Sequence, residues 1–302
     1  MLVGLVIDSI DWHARQLIAA LSSRGVETVP VQLSSCGMAT ASASGLHIDG
    51  FGKTLPDAVV VRTMSGGTFE AVTLRLGVLH ALRELGVTVW NDARAIERCV
   101  DKSMTSFLLA RAGIPTPSTW AMESFEQAYA IVERETAEGP LVLKPLFGSQ
   151  GRGLKLVHKP EDLPTIEETP GRVYYLQRFI GVKRRGGYHD FRILVVQGRI
   201  VAAMRRHSTH WVTNIKRGGR PVAVVINEEM KTLALQSAMA VGANFVGVDI
   251  VYGTDDRPAV LEVNSMPAWS GLQKVAAVNI ASVLADALIA ALAARGLRGA
   301  MA

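Results

Sequence analysis

The apolar positions of this chain switch between two periods, and the switches mark its elements. Leu2 to Asp8 is a short apolar run stopped by an acid, which reads as a buried strand. Trp12 to Gly25 has helical spacing, with Gly25 as its stop. Val26 to Leu33 and Ala58 to Arg62 read as further strands. Thr68 to Gly86 reads as a long helix leading into a strand, Val87 to Trp90. This alternation predicts a small, mostly parallel sheet covered by helices. Ser34 to Lys53, rich in Ser, Gly and Ala, reads as a loop or a weak hairpin.

Ala95 to Ala112 reads as one helix closed by Gly113, after which Pro115 and Pro117 force an extended connection. Thr119 to Met122 is a strand. Ser124 caps a helix from Phe125 to Glu138, ended by Gly139-Pro140. Leu141 to Lys144 and Gly153 to His158 are strands around a glycine loop, and Tyr174 to Ile180 is another. Phe191 to Val196 and Arg199 to Arg206 flank Gln197-Gly198, a hairpin signal. Asn227 opens a helix, Glu228 to Val241. Val246 to Tyr252 and Ala259 to Asn264 form a second strand pair around Asp255-Asp256, and an Ala-rich helix from Asn279 to Ala294 closes the chain. No internal repeat is present. The expected class is α/β, in three units: residues 1–92, 93–180 and 181–302.

Composition bounds the picture. With 302 residues, 49% of them hydrophobic, the chain is long enough for two or three packed lobes. Charged residues are 20% and no segment is of low complexity, so a soluble globular protein is expected. The first apolar run is too short for a signal peptide or a membrane span, and Asp286 interrupts the last helix. The expectation is a cytoplasmic protein with no membrane partner. Cys36 and Cys99 belong to no metal-binding or redox spacing and read as reduced structural thiols. The net charge of +5 suits nucleic acid and acidic small molecules alike. The basic clusters, Lys183-Arg184-Arg185, Arg205-Arg206 and Lys216-Arg217 with Arg220, come without an aromatic stacking pattern. Nucleic acid is therefore not the expected partner.

The strongest chemical signal is Val248-Asp249-Ile250 followed by Leu261-Glu262-Val263-Asn264. Glu262 and Asn264 are two apart on one strand and share a face, and Asp249 joins them if the hairpin pairs in register. Three oxygen donors of this kind suit magnesium, which keeps some waters and bridges phosphates. The second signal is Lys144-Pro145-Leu146-Phe147-Gly148-Ser149-Gln150-Gly151-Arg152-Gly153. Its glycines let backbone N–H groups converge on phosphate oxygens, and Lys144 adds a point charge. It is neither a Walker A loop nor a Rossmann fingerprint, since a strand follows it. Taken alone, a flexible hairpin loop is an equal reading. Lys102, early in its helix, is by itself a surface lysine. Asp190 and Arg192 alternate with apolar residues and face one way, either as a structural ion pair or as nucleotide-side and phosphoryl-side groups. Arg205 or Arg206, on the next strand, adds a second cation. Asn214 and Gly218-Gly219 lie in a further glycine turn.

The order of these motifs is specific where each alone is not. Asp101-Lys102, Lys144 with its glycine loop, Leu176-Gln177-Arg178-Phe179-Ile180, Asp190-Phe191-Arg192, Asn214 with Gly218-Gly219, and Asp249, Glu262 and Asn264 together resemble the ATP-grasp superfamily. Within it the chain is most similar to the RimK-like α-L-glutamate ligases, over roughly residues 1–295. The resemblance implies an N-terminal pre-ATP-grasp domain followed by two ATP-grasp lobes that clamp a nucleotide. It implies that Lys102, Lys144 and the glycine loop (Gly148, Ser149, Gly151, Gly153) contact phosphates. Backbone groups of Arg178 and Phe179 would hold adenine, Asp190 the nucleoside side, and Asn214 the phosphates. Asp249, Glu262 and Asn264 match ligands of two magnesium ions, or manganese in their place, with Glu262 bridging. Arg192 and Arg206 are assigned to catalysis. The implied substrates are ATP, an amino acid (L-glutamate) and an acceptor carboxylate, and relatives form homo-oligomers. Two departures stand out: Arg178 replaces an acidic hinge residue, and Val212 replaces an arginine. A ligase for another amino acid and a non-catalytic ATP-binding protein remain open readings.

Overall fold

The computed structural model describes residues 1–148 and 150–299. Its first sheet comes from β1 (Leu2–Val6), β2 (Glu27–Val31), β5 (Ala58–Val61) and β6 (Thr88–Trp90), with helices α1 (Trp12–Ser22) and α2 (Phe69–Glu84) between them. β3 (Gly37–Met38) and β4 (Leu46–His47) pair as a two-residue hairpin in the Ser/Gly-rich segment. The sheet is parallel in the order β2-β1-β5-β6. All four residues of β5 are buried, as expected for a parallel strand covered on both faces. Pro30 is accommodated because β2 is an edge. From β1 the chain turns outward to β2, then crosses back to β5. The carboxyl ends of β1 and β5 therefore flank a topological switch point, the usual place for a crevice.

The expected single helix over 95–112 is two helices, α3 (Ala93–Val100) and α4 (Lys102–Arg111). Asp101 between them is extended, at φ −82° and ψ 105°. Its carboxylate accepts from the amides of Ser103 at 2.8 Å and Met104 at 3.1 Å. A short acceptor side chain that caps a new helix competes with continuing the old one. The break makes Lys102 the first residue of α4.

The second sheet is antiparallel in the order β7-β10-β8-β9, from β7 (Thr119–Met122), β8 (Leu141–Lys144), β9 (Lys155–Val157) and β10 (Tyr174–Arg178). Helix α5 (Phe125–Glu135), capped by Ser124 as read from the sequence, packs Ala128 and Val132 on Leu141, Leu143 and Leu176. It ends three residues earlier than expected.

The third sheet runs β13-β12-β11-β14-β15, from β11 (Tyr188–Val196), β12 (Arg199–Ser208), β13 (Arg220–Ala223), β14 (Phe245–Tyr252) and β15 (Pro258–Asn264). β13 had no sequence signal, because Arg-Pro-Val-Ala carries no alternation. Its odd-numbered β11 residues Ile193 and Val195 pack under α6 (Glu228–Val241), which Asn227 caps and Gly242, at φ +73°, terminates. Its even-numbered residues Leu194 and Val196 face the other way. They share a core with Trp269 ahead of α7 (Ser270–Gln273), with Leu284 and Leu288 of α8 (Ile280–Gly299), and with Leu17 and Leu21 of α1. That core joins the first sheet to the third. A polar rivet adds to it. The fully buried Asn91 donates to the carbonyls of Phe245 and Ser265 and accepts from the amides of Asn244 and Phe245. Among the described residues no helix is long and apolar enough to cross a membrane. Both cysteines are free, and burial pushes the Cys99 thiol up to about 12, which leaves it inert.

Candidate active site

On β11 the face that buries Leu194 and Val196 continues into Arg192 and Asp190. The ladder carries that face across the sheet. Arg192 pairs with Asp249 of β14, which pairs with Glu262 of β15, so the three form one row. Asp190 pairs with Arg206 of β12 in the next row, and Gly247 pairs with Asn264 in the row on the other side. Directly opposed residues share a face, so the expected register of the 249–262 hairpin is the observed one.

The side chains interlock. Arg192 Nε and Nη2 donate to the two Asp249 oxygens at 2.7 and 2.6 Å. Arg206 forks onto Asp190, Nε to Oδ1 at 2.7 Å with Nη2 on Oδ2, and Nη2 also reaches Asp249 at 2.8 Å. Arg206, not Arg205, is the second cation: Arg206 is 4% exposed, whereas Arg205 points to the exposed opposite face. Burial alone would raise the Asp249 pKa, but the guanidiniums of Arg192 and Arg206 override it and hold the carboxyl well below its ordinary range. Burial would likewise lower that of Arg206, and Asp190 and Asp249 more than offset it.

Two lysines approach from the second sheet's side. Lys144, at the end of β8, donates to Gln177 Oε1 at 2.6 Å. Lys102 donates to the carbonyls of Gly148 at 2.8 Å and Leu146 at 3.3 Å, which pins the glycine loop. Burial brings the Lys144 pKa down to about 8; the charge of Lys102 adds to the drop, while Glu262 and Asp249 oppose it. Burial also lowers that of Lys102, against the attraction of Glu262 and Asp101. The loop's far side is tied to the third sheet, since Arg217 Nη1 donates to Gly151 O at 2.8 Å. Gly151 sits at φ +67°, and a Cβ there would come 2.7 Å from Val212 Cγ1, so only glycine lets the loop lie this close. Asn214 caps the short turn that carries Arg217, accepting from the Lys216 amide at 2.9 Å.

Between the two sheets lies a cleft of about 1010 Å³. Lys102, Lys144, Asp249 and Glu262 gather at its polar part, and Val142, Ile180, Trp211 and Leu261 supply apolar walls. Gly148, Gly151, Phe179, Asp190, Arg206 and Asn214 line it too, together with Arg178. Asn264 instead lines a smaller adjoining chamber of about 310 Å³, shared with Lys102 and Glu262. Arg192 is outside the lining and backs Asp249. Gly153 is outside it as well and packs on Pro145. Ser149 lies outside the described residues. The apolar wall residues were not foreseen, because an apolar residue on a strand carries the same signal whether it faces core or cleft.

The expected hinge is modified. The Arg178 amide donates to Ser118 O at 2.8 Å and the Phe179 amide to Pro140 O at 3.1 Å. Any backbone contact from these two residues to a base thus falls to their carbonyl oxygens. The Arg178 guanidinium caps the end of α5, donating to the carbonyls of Glu135 and Gly139, both at 2.8 Å, and to the Glu135 carboxylate.

Asp249, Glu262 and Asn264 supply two carboxylates and an amide oxygen on one face, with Asn264 Nδ2 donating to Glu262 at 3.1 Å. Among the described residues no group of three or more His, Cys, Asp or Glu forms a metal cage. Such a sparse oxygen set fits magnesium, which takes one or two carboxylates and completes its shell with water and substrate phosphate. Both Asp249 oxygens are held by arginines, so Glu262, with its side chain 37% exposed, is the readier donor.

The model of the RimK-like ATP-grasp domain matches residues 99–288. The tetrahydromethanopterin:α-L-glutamate ligase of Methanosarcina acetivorans is 32% identical, across 95% of this chain and 98% of its own. A probable α-L-glutamate ligase of Teredinibacter turnerae is 29% identical, across 91% and 90%. The ATP-grasp ligase PsnB, solved with a phosphomimetic variant of its minimal precursor, Mg and ADP, shares the fold with a TM-score of 0.73 at 24% identity, across 96% of this chain and 98% of its own. The chain belongs to the RimK-like ATP-grasp family of ATP-dependent ligases that form carbon–nitrogen bonds.

Proposed function

We propose that the cleft binds ATP with magnesium and that the protein adds L-glutamate to the carboxylate of an acceptor through an acyl phosphate. One observation carries this reading: two ammonium groups, Lys102 and Lys144, and two carboxylates, Asp249 and Glu262, meet in a single cleft with apolar walls for a base. The glutamate ligase relatives support the choice of amino acid. In this reading residues 93–180 and 181–302 are the lobes on either side of the nucleotide, and 1–92 the domain that precedes them.

The chemistry follows from charge. A carboxylate is a poor electrophile because its oxygen is a poor leaving group. Phosphoryl transfer bonds that oxygen to the γ-phosphorus of ATP, releases ADP, and leaves a mixed anhydride from which phosphate departs readily. Lys102 and Lys144 neutralise the terminal phosphates during transfer. Held by Asp249, Glu262 and Asn264, magnesium would screen the same charge. The substrate amine then attacks the acyl carbon; a C–N bond forms, and the C–O bond to phosphate breaks. Arg192, behind Asp249 and outside the cleft lining, acts by fixing that carboxylate rather than by touching the tetrahedral oxyanion, and Arg206 fixes both Asp190 and Asp249. The glycine loop, tied by Lys102 and Arg217, excludes water that would hydrolyse the acyl phosphate.

The test is a screen of phosphate release from ATP with L-glutamate against a panel of carboxylate acceptors, read by mass spectrometry. Product heavier by one glutamyl residue is expected, and it should vanish in Glu262→Gln. Turnover at the wild-type rate in that variant would remove the site assignment. A different amino acid is the second reading; Val212 favours it by placing a buried apolar side chain at the cleft.

A further inference from the structure

Arg62, just past the end of β5, is 5% exposed, and its Nε and Nη1 are buried without a hydrogen-bond partner. Its guanidinium carbon stands 4.4 Å from the ring centroid of Trp269 and 5.6 Å from that of Phe245. Burial lowers its pKa to about 10, partly offset by Asp11, so it stays charged at neutral pH. A buried cation with no anion in hydrogen-bond reach is costly to keep. The same aromatic cluster holds two more buried donors without partners, Trp269 Nε1 and Trp90 Nε1. Every unmatched group in this cluster is a donor, and what the cluster lacks is an acceptor.

The position is informative. Arg62 lies at the carboxyl end of β5 beside that of β1, at the switch point of the first sheet. It faces the start of α1, where His13 Nε2 accepts from the amides of Trp269 and Ser270 at 3.2 Å each. Trp269 follows shortly after Asn264 in the chain. The Pro267 and Arg192 side chains both crowd Gly247, the ladder partner of Asn264, so the 265–269 segment leads from the reacting end of the cleft to Arg62. Asp11 stands nearby, and burial lowers the His13 pKa against the pull of Asp11. A singly charged anion is therefore better matched here than a phosphate dianion.

We propose that Arg62 anchors a carboxylate of a substrate at the switch point of the first sheet, where it meets the 265–270 segment. The identity of that substrate rests on the ligase reading. L-glutamate brings carboxylates that do not react, and so does an acceptor chain that ends in glutamate. The shared chemistry is the carboxylate, and two probes separate the sources. Free L-glutamate stands for the incoming amino acid; N-acetyl-L-glutamate, whose amine is blocked, stands for the acceptor end.

Each probe is titrated against the full-length protein by thermal shift, beside a titration with ATP and magnesium. Arg62→Met is expected to raise the half-saturating concentration of at least one probe about tenfold or more, as for loss of a charged hydrogen bond, while that of ATP stays within about twofold. Arg62→Lys, which keeps the charge but not the fork, should fall between. Wild-type protein that binds neither probe overturns the proposal. So do variants that bind both probes as wild type does, and variants that lose ATP and probes together, which would make Arg62 a purely structural clamp between the sheets. The ligase reading is judged separately, by product formation in the wild-type screen.

Discussion

Arg192 and Asp249 sit opposite each other on the β11–β14 ladder and lock in a two-bond fork at 2.7 and 2.6 Å. Arg206 closes on the same carboxylate from the next row. Asp249→Asn would leave two buried guanidiniums short of charge. It is expected to lower the unfolding free energy by about 3–5 kcal/mol, the cost of breaking a buried ion pair, and to abolish ligation. Urea denaturation in the absence of nucleotide measures the first effect. A change under about 1 kcal/mol would mean that the network contributes little to the native state.

Lys144 gives a pH signature. Its pKa is about 8 in the folded protein against 10.5 as a free side chain. Between those values the unfolded chain holds a proton that the folded chain has released, so stability gains from Lys144 as pH rises from 8 to 10.5. In metal-free buffer, the stability of wild type relative to Lys144→Met should climb across that window. A flat difference would place the folded pKa at the ordinary lysine value.

Arg178 is a structural residue by its contacts, since its guanidinium closes the end of α5 through Glu135 and Gly139. Arg178→Met is expected to lower stability by about 1–3 kcal/mol while the KM for ATP stays within about threefold. Thermal denaturation and initial rates check the two halves. A large rise in KM with unchanged stability would move the side chain into the nucleotide site.

Arg217 ties the glycine loop to the third sheet through one exposed bond to Gly151 O. Arg217→Ala should weaken closure by about 1 kcal/mol, a several-fold effect. The reading to follow is the ratio of phosphate released to amide formed, which should rise as water reaches the acyl phosphate. An unchanged ratio with lower overall rate would mean that the tether aids binding alone.

The chain's own pattern was enough for most elements and for the ordered motif set. Apolar runs at strand or helix period, stopped by Gly25 and Gly113, place the elements within a few residues, because periodicity and φ > 0 glycines are local properties. The 249–262–264 donor set was legible for the same reason: polar residues two apart in an apolar strand share a face. Other features do not show in the apolar pattern. The break at Asp101 depends on a carboxylate choosing amides over solvent. The choice of Arg206 over Arg205 depends on the register of β12 against β11, which sets Arg206 opposite Asp190. Asn91, Arg62 and the apolar walls of the cleft carry no local signal, since their roles arise only where separate sheets meet. Sequence determines which way each side chain points along its own strand; only the folded chain decides what stands in front of it.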